Sequence, residues 1–308
     1  MSAGWVAGSL RARLLVGRCL GAEGARDLAA AGSLEEALAH LARSEYGRER
    51  PVEGDLAAVE RGVAETVLLR LRVLAAWLPP GAVELVRVLA AWFELANVED
   101  RLAYLLGGAP PHPFPLGSLA VAWSRAGAAA DPDELRLALA GSVWGDPGSP
   151  APAAAHRALR LVWARRLLDE VPETADWVAG ALALLVAREV LLDGRPFDVP
   201  DRARPHVIGA EWQRARTLAQ LVSALPTRAA WPLHGLREAE GLWQGEVRWW
   251  RRVERDAAAM TRGARQARAV VIGAAALLAA DASRVLAALE TAARRGDAEL
   301  EEVFRAGA

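Results

Sequence analysis

Apolar positions recur at helical spacing along most of the chain. In the segment 85–106, residues 85, 88, 92, 95, 102 and 105 are all apolar, as on one face of an amphipathic helix. Alternation of apolar and polar residues with a period of two is nearly absent. Because that alternation is typical of half-buried strands, the pattern predicts an all-α chain.

Proline-rich stretches at 79–80, 107–115 and 146–152 interrupt this pattern, since proline cannot continue a helix. The stretch 194–205 is predicted to be irregular for the same reason. Ser33-Leu-Glu-Glu36 predicts a capping box, in which Ser33 begins a helix that runs to about Ser44. Longer helices are predicted over 55–78, 81–106, 153–170, 174–192, 236–260 and 264–295, the last with Gly296 as its C-cap.

One narrow polar stripe lies on the otherwise apolar helix 81–106. Helical spacing places Glu94, Asn97 and Arg101 on one face together with Arg87. Acidic residues open similar apolar segments at Asp176 and Asp281. The intervals between positions 94, 176 and 281 are 82 and 105 residues long. This spacing predicts three related helical units, with boundaries at 1–20 plus 236–308, at 21–130 and at 131–235.

Composition narrows the classes of function. The chain has 308 residues, of which 53% are hydrophobic, and a net charge of −1. No basic cluster is interleaved with aromatic residues, so we expect no nucleic-acid partner. All 37 basic residues are arginine, which excludes a P-loop lysine and Schiff-base catalysis.

Metal, disulfide and membrane signals are also weak. The five histidines have no local metal-ligand spacing, and the single cysteine, Cys19, has no partner. We therefore expect no catalytic, metal or cofactor site.

The longest unbroken apolar run, 269–280, is shorter than the roughly 20 residues that span a bilayer. Arg11, Arg13 and Arg18 interrupt the first apolar stretch, so no signal peptide is expected and the protein is predicted to be cytoplasmic.

Three stretches resemble a known family. The first runs from Ser9 to Gly47 and includes Ala-Ala-Gly-Ser33-Leu-Glu-Glu and Ser44-Glu-Tyr46-Gly47. The second is Leu78-Pro79 followed by a helix with Glu94-Leu-Ala-Asn97. The third is Leu277-Leu-Ala-Ala-Asp281, then Arg294-Arg-Gly296. In this order they resemble the C/d subunit of V-type and A-type rotary ATPases, most sharply over 9–106, although that family usually has Asp at position 94.

The resemblance implies a funnel of three quasi-equivalent helical-bundle domains with pseudo-threefold symmetry and no active site. Its partners would be the rotor-shaft subunits of the D and F type and the subunits of the membrane rotor ring. The protein would lie peripherally at the cytoplasmic face of the plasma membrane and transmit torque. A stand-alone helical scaffold or adaptor derived from that family is the alternative. A prenyl-transfer enzyme is disfavoured, because no Asp-Asp-x-x-Asp motif occurs.

Five residues are candidates for a partner interface: Glu94, Asn97, Arg101, Trp249 and Arg252. For the first three, the alternative is a solvated helix face. For Trp249 it is contact with another helix of the chain, and for Arg252 an ion-paired surface. The spacing also predicts that Trp243 and Val247 face inward, and we expect Glu94→Arg to leave folding nearly intact.

Overall fold

Helices form the whole framework of the computed structural model, which describes residues 3–149, 151–194, 206–263 and 267–306. No strand occurs within those ranges, so the predicted all-α class is confirmed. The helices are α1 (Ala3–Val16), α2 (Gly21–Ala30), α3 (Leu34–Arg43), α4 (Glu45–Glu49), α5 (Leu56–Ala76), α6 (Val83–Leu89), α7 (Trp92–Leu105), α8 (Trp123–Ala126), α9 (Pro132–Ala140), α10 (Pro152–Glu170), α11 (Ala175–Ala187), α12 (Leu218–Ala224), α13 (Thr227–Ala230), α14 (Leu242–Arg262) and α15 (Ala267–Ala306).

The chain divides into two compact units. The terminal unit comprises Met1–Ala82 and Ala257–Ala308, and the central unit comprises Val83–Asp256. Both ends of the chain therefore belong to one unit. The predicted division into three units and the funnel stay predictions.

Helix α15 is the core of the terminal unit. Its apolar side chains Val271, Ile272, Leu278 and Leu289 are fully buried, and α1, α2 and α5 pack around it. Over Arg268–Arg295 it is long and apolar enough to cross a membrane, but most of that window is buried inside the chain. Such burial is typical of a core helix in a packed domain.

One predicted boundary lies differently, and two other predictions fall on residues that the structure does not describe. Helix α15 continues through Gly296 to Ala306, because one internal glycine costs only about 1 kcal/mol and good helix formers follow it. The predicted irregular stretch beyond Gly194 lies outside the described residues up to position 205, and so does the predicted helix start at 264.

The predicted helix 81–106 is broken at Ala90–Ala91 into α6 and α7. The indole N–H of Trp163, on α10, donates to the carbonyl of Val88 at 2.9 Å. In an unbroken helix that carbonyl would accept from the N–H four residues later. This competing donor therefore lies at the point where the helix breaks.

Capping boxes recur at three helices. In each, the N-cap side chain accepts from the backbone N–H three residues later. The side chain of that later residue accepts from the N–H of the residue before the cap. The pairs are Ser33 with Glu36, Asp131 with Glu134, and Thr217 with Gln220. The first confirms the predicted box, and the other two show that this local start is repeated along the chain.

Candidate functional site

The polar stripe of α6 and α7 holds a segment of its own chain. Glu94 accepts from the backbone N–H groups of Val121, at 2.8 Å, and Ala122. Asn97 donates to the carbonyl of Phe114 at 3.0 Å and accepts from its N–H at 2.6 Å. Together these bonds fix both ends of the segment 114–122 on α7.

The two arginines of the stripe bind the same region. Arg87 donates to the carbonyl of Ser118 at 2.9 Å, and Arg101 donates to the carbonyl of Ala129. The guanidinium of Arg101 also lies 5.3 Å from the ring centroid of Tyr104. All four stripe residues are thus internal anchors, an arrangement that neither the interface hypothesis nor the solvated-face alternative described.

Burial decides what Glu94 can do. Its exposed fraction is 1%, and that of Asn97 is 0%, so neither side chain reaches the surface of the described chain. A direct contact with a partner would first require this segment to open. This burial removes the basis for expecting Glu94→Arg to leave folding nearly intact. We expect that variant to destabilise the fold, because a buried arginine there would face two backbone donors without an acceptor.

Asp281 makes the corresponding clamp in the terminal unit. It lies on α15 and is 2% exposed. Its carboxylate accepts from the backbone N–H groups of Leu20 and Gly21, at 2.9 and 2.8 Å. The hydroxyl of Tyr46 also donates to it at 2.9 Å. As at Glu94, one carboxylate satisfies two successive N–H groups where a helix begins, groups that have no partner within the helix itself.

A second feature recurs with these two clamps. Ser44 and Ser142 each donate to the carbonyl three residues earlier and accept from the N–H two residues later. The residues that donate those N–H groups, Tyr46 and Trp144, are both buried aromatics. Arg70 lies 4.8 Å from the ring centroid of Tyr46, and Arg166 lies 5.8 Å from that of Trp144. A carboxylate clamp, a serine turn and an arginine–aromatic pair therefore occur in each unit.

Asp176 is different from the other two acidic positions. Its carboxylate accepts from the side chains of Arg228 and Arg252, the latter at 2.8 Å, and its side chain is 41% exposed. The guanidinium of Arg252 also lies 4.6 Å from the ring centroid of Trp231. The third acidic position is therefore a surface ion pair rather than a buried clamp on backbone.

Trp249 lies in a contact between helices. Its indole N–H donates to the carbonyl of Trp177 at 2.7 Å, and its ring meets that of Trp250 edge to face at 4.7 Å. Trp243, which the sequence pattern placed inward, is 61% exposed. The buried face of α14 instead runs through Leu242 and Val253, so the inward prediction for Trp243 and for the exposed Val247 is wrong. The short 3₁₀ turn Ala239–Gly241 precedes α14, and the predicted stripe had assumed one continuous helix across it.

Trp249 and Trp250 line a groove of about 790 Å³ in the central unit. Helices α7, α9, α10, α11 and α14 contribute its walls, and its apolar lining includes Leu102, Leu135 and Leu184. A volume of this size is within the roughly 300–1,000 Å³ typical of ligand pockets. The groove is therefore a concave surface large enough to receive a group of a partner.

Charged residues around the groove pair with one another. Nδ1 of His156 lies 2.6 Å from a carboxylate oxygen of Glu99, and Arg157 pairs with Glu189 at 2.7 Å. Arg160 is half exposed and lies 3.9 Å from Glu99, which leaves it oriented toward solvent at the groove.

Ionisable groups around Asp281 are held neutral. Burial, and then the Asp281 carboxylate, raise the pKa of the Cys19 thiol from 9.0 to about 12. The same two causes, in the same order, raise the pKa of the Tyr46 hydroxyl well above its ordinary value. Because the thiolate is the reactive form of cysteine, this environment disfavours Cys19 as a nucleophile.

Among the residues that the structure describes, no three His, Cys, Asp or Glu side chains are grouped so as to hold a metal ion. No family model matches this chain, and no curated protein matches it. A functional assignment therefore depends on the geometry of the site and on the sequence pattern.

Proposed function

We propose that this chain is a non-catalytic central-stalk subunit of the C/d type. It would couple the soluble rotor shaft of a V-type or A-type ATPase to the membrane rotor ring, at the cytoplasmic face of the membrane, for proton or sodium transport. The proposal starts from the sequence resemblance over 9–106. The observation that carries it is the repeated carboxylate clamp at Glu94 and Asp281.

The repeated clamp supports a chain built from related modules. Glu94 and Asp281 belong to different units, yet each binds two successive N–H groups ahead of a helix. In both cases the bound N–H groups are followed along the chain by a capping box and by a serine turn with a buried aromatic residue. Modules of one design are what a socket with quasi-equivalent domains requires.

The bonds in the central unit also suit the transmission of force. Several of its contacts join a side chain of one helix to the backbone of another, as Trp163 does with Val88 and Trp249 with Trp177. Close-packed helices have low compressibility and transmit strain. A coupling subunit requires this stiffness, and it requires no turnover of its own.

We place the shaft contact at the groove of the central unit. Aromatic residues are enriched at the cores of protein interfaces, and Trp249 and Trp250 provide them here. Arg160 at the groove and the exposed pair of Asp176 with Arg252 add charged groups that can orient a partner. The shaft tip would then contact Trp249 directly, whereas Glu94 and Asn97 would only hold the module together.

Co-expression tests the proposal. The tagged full chain is co-expressed with the D- and F-type shaft subunits and the ring subunit of the same organism, and capture is measured quantitatively. Arg160→Glu is compared with Arg165→Glu, which makes the same change at an exposed position of α10 that does not line the groove.

We expect the wild-type chain and Arg165→Glu to capture the shaft equally, and Arg160→Glu to bind about tenfold more weakly, or about 1.4 kcal/mol. The reason is that the new carboxylate lies beside Glu99 and would be desolvated without a partner. Equal capture by both variants would exclude the groove as the contact. Failure of the wild-type chain to capture any shaft or ring subunit would reject the coupling role and favour the scaffold alternative.

A further inference from the structure

Helix α1 has an apolar stripe that faces away from the chain. Val6, Leu10 and Leu14 are 46%, 58% and 63% exposed. At about 100° per residue they lie on one side of the helix, opposite the buried positions Gly8 and Ala12. Large apolar side chains exposed in a row are not explained by packing within the unit, and such patches usually mark an interaction surface.

The stripe has positive charge on both sides. The same helical spacing puts Arg11 and Arg13 on opposite flanks of it. Arg13 donates to the carbonyls of Thr261 and Gly263, at 3.0 and 3.1 Å, which brings the end of α14 beside α1. Arg11 lies 5.7 Å from the ring centroid of Trp77, a residue that is itself 51% exposed.

Acidic residues are missing from the three segments that meet here. The segments 1–22, 66–83 and 257–280 contain eight arginines and no Asp or Glu, although the whole chain has a net charge of −1. The acidic residues of the terminal unit lie in 23–65 and 281–302 instead. Arg18 and Arg70 of this set pair with Glu49, so the positive charge beside the apolar stripe comes from Arg11 and Arg13.

We propose that this α1 face, defined by Val6, Leu10, Leu14, Arg11 and Trp77, docks on an anionic lipid bilayer. An apolar helix face flanked by arginine and tryptophan is the pattern of helices that lie in a membrane interface. A second copy of the chain fits poorly, because a symmetric contact would bring one acid-free face against another. A single acidic peptide also fits poorly, because Arg13 and Arg18 already bind groups of the chain and do not converge on one point.

The docking needs no rotor subunit, so it stands independently of the coupling role. Its test is co-sedimentation of the purified full chain with vesicles of phosphatidylglycerol or of phosphatidylcholine. Leu10→Ser/Leu14→Ser is compared with Leu137→Ser, which removes an equally exposed leucine of α9 in the central unit. Because both leucines of the double variant are mostly exposed, we expect it to fold, and circular dichroism checks this.

We expect the wild-type chain to bind phosphatidylglycerol vesicles and Leu137→Ser to bind them equally well. The double variant should bind at least about tenfold more weakly, because it buries less apolar area in the bilayer. Binding of the wild type should fall as salt is raised from about 0.1 M to about 1 M, which shortens the Debye length from about 10 Å to about 3 Å. Brominated phosphatidylglycerol should quench tryptophan fluorescence in the wild type and less in Trp77→Phe.

Three results would overturn the inference. One is failure of the wild type to bind phosphatidylglycerol vesicles, and another is equal binding to phosphatidylcholine. The third is a dimer in analytical ultracentrifugation that Leu10→Ser/Leu14→Ser dissociates, which would assign the stripe to a second copy. The salt series uses the wild type alone and the quenching needs no leucine variant, so they decide the matter even if the double variant does not fold.

Discussion

Replacing Glu94 by glutamine tests the clamp with almost no change of shape. The carboxylate accepts one N–H bond at each oxygen, from Val121 and from Ala122. Glutamine keeps one acceptor oxygen but presents an NH₂ group where the second oxygen was. That NH₂ donor faces a backbone donor, so one bond is lost and the other is no longer assisted by charge.

The size of the effect follows from these two bonds. A hydrogen bond to a charged group contributes about 1.5–3 kcal/mol and a neutral one about 0.5–1.5 kcal/mol, so the surviving bond loses about 1 kcal/mol. The broken bond leaves a buried N–H unsatisfied, which costs a further 1–3 kcal/mol or so. We therefore expect Glu94→Gln to lower the free energy of unfolding by about 2–4 kcal/mol.

Asp176→Asn is the matched control within the same unit. Asp176 also accepts two bonds, but from arginine side chains, and it is half exposed. Exposed ion pairs contribute about 0–1 kcal/mol, so this variant should be nearly as stable as the wild type. Urea unfolding followed by circular dichroism measures both, and amide exchange at Val121 and Ala122 should quicken only in Glu94→Gln.

Amide exchange is the more specific assay here, because a chain of two units can unfold in more than one step. A loss below about 0.5 kcal/mol for Glu94→Gln, the size of an ordinary surface change, would refute the clamp. So would equal losses for Glu94→Gln and Asp176→Asn, or unchanged exchange at Val121 and Ala122.

Two further predictions concern alkaline pH and close packing. Because burial and Asp281 raise the pKa of Cys19 from 9.0 to about 12, stability that depends on the neutral thiol is fully present below pH 9 and lost as pH rises from 9 to 12. Urea unfolding over that range should decline less in Cys19→Ala than in the wild type, and equal declines would count against this. Gly180→Ala should cost about 1–3 kcal/mol in the same assay, since its Cβ would lie 2.8 Å from the Trp231 ring. Gly81→Ala, with nothing within 4 Å, should stay within about 0.5 kcal/mol of the wild type, and similar losses in both would contradict the packing argument.

Local sequence patterns were enough to predict the all-α class and several of the helices. The apolar period of 3.6 and the proline breaks predicted α5 and α10 close to their observed bounds, because these helices depend on their own sequence. The break between α6 and α7 was not predictable in this way. It accompanies an indole donor on α10, 75 residues from Val88 along the chain, and such a partner leaves no local signal.

The site was harder to predict for a related reason. The stripe at Glu94, Asn97 and Arg101 was visible from spacing, but each of these residues binds backbone in the segment 114–129. Backbone N–H and carbonyl groups occur at nearly every position, so no residue type marks the partner. A usable signal was nevertheless present, since Asp131-x-x-Glu134 and Thr217-x-x-Gln220 repeat the spacing of Ser33 and Glu36.

Of the three acidic positions 94, 176 and 281, two are buried and hold the fold together, and one is exposed to partners. At Glu94 and Asp281 the acid is offered two N–H groups at a helix start, and the bonds bury it. Asp176 instead accepts from two arginine side chains, and this ion pair remains hydrated at the surface. Asp176 also adjoins Trp177, whose carbonyl holds Trp249 at the groove. A partner can therefore reach the charge at Asp176, the one acidic position of the three that does not clamp backbone N–H groups. We expect charge reversal in the pair of Asp176 with Arg252, rather than at Glu94, to disturb assembly without unfolding the central unit.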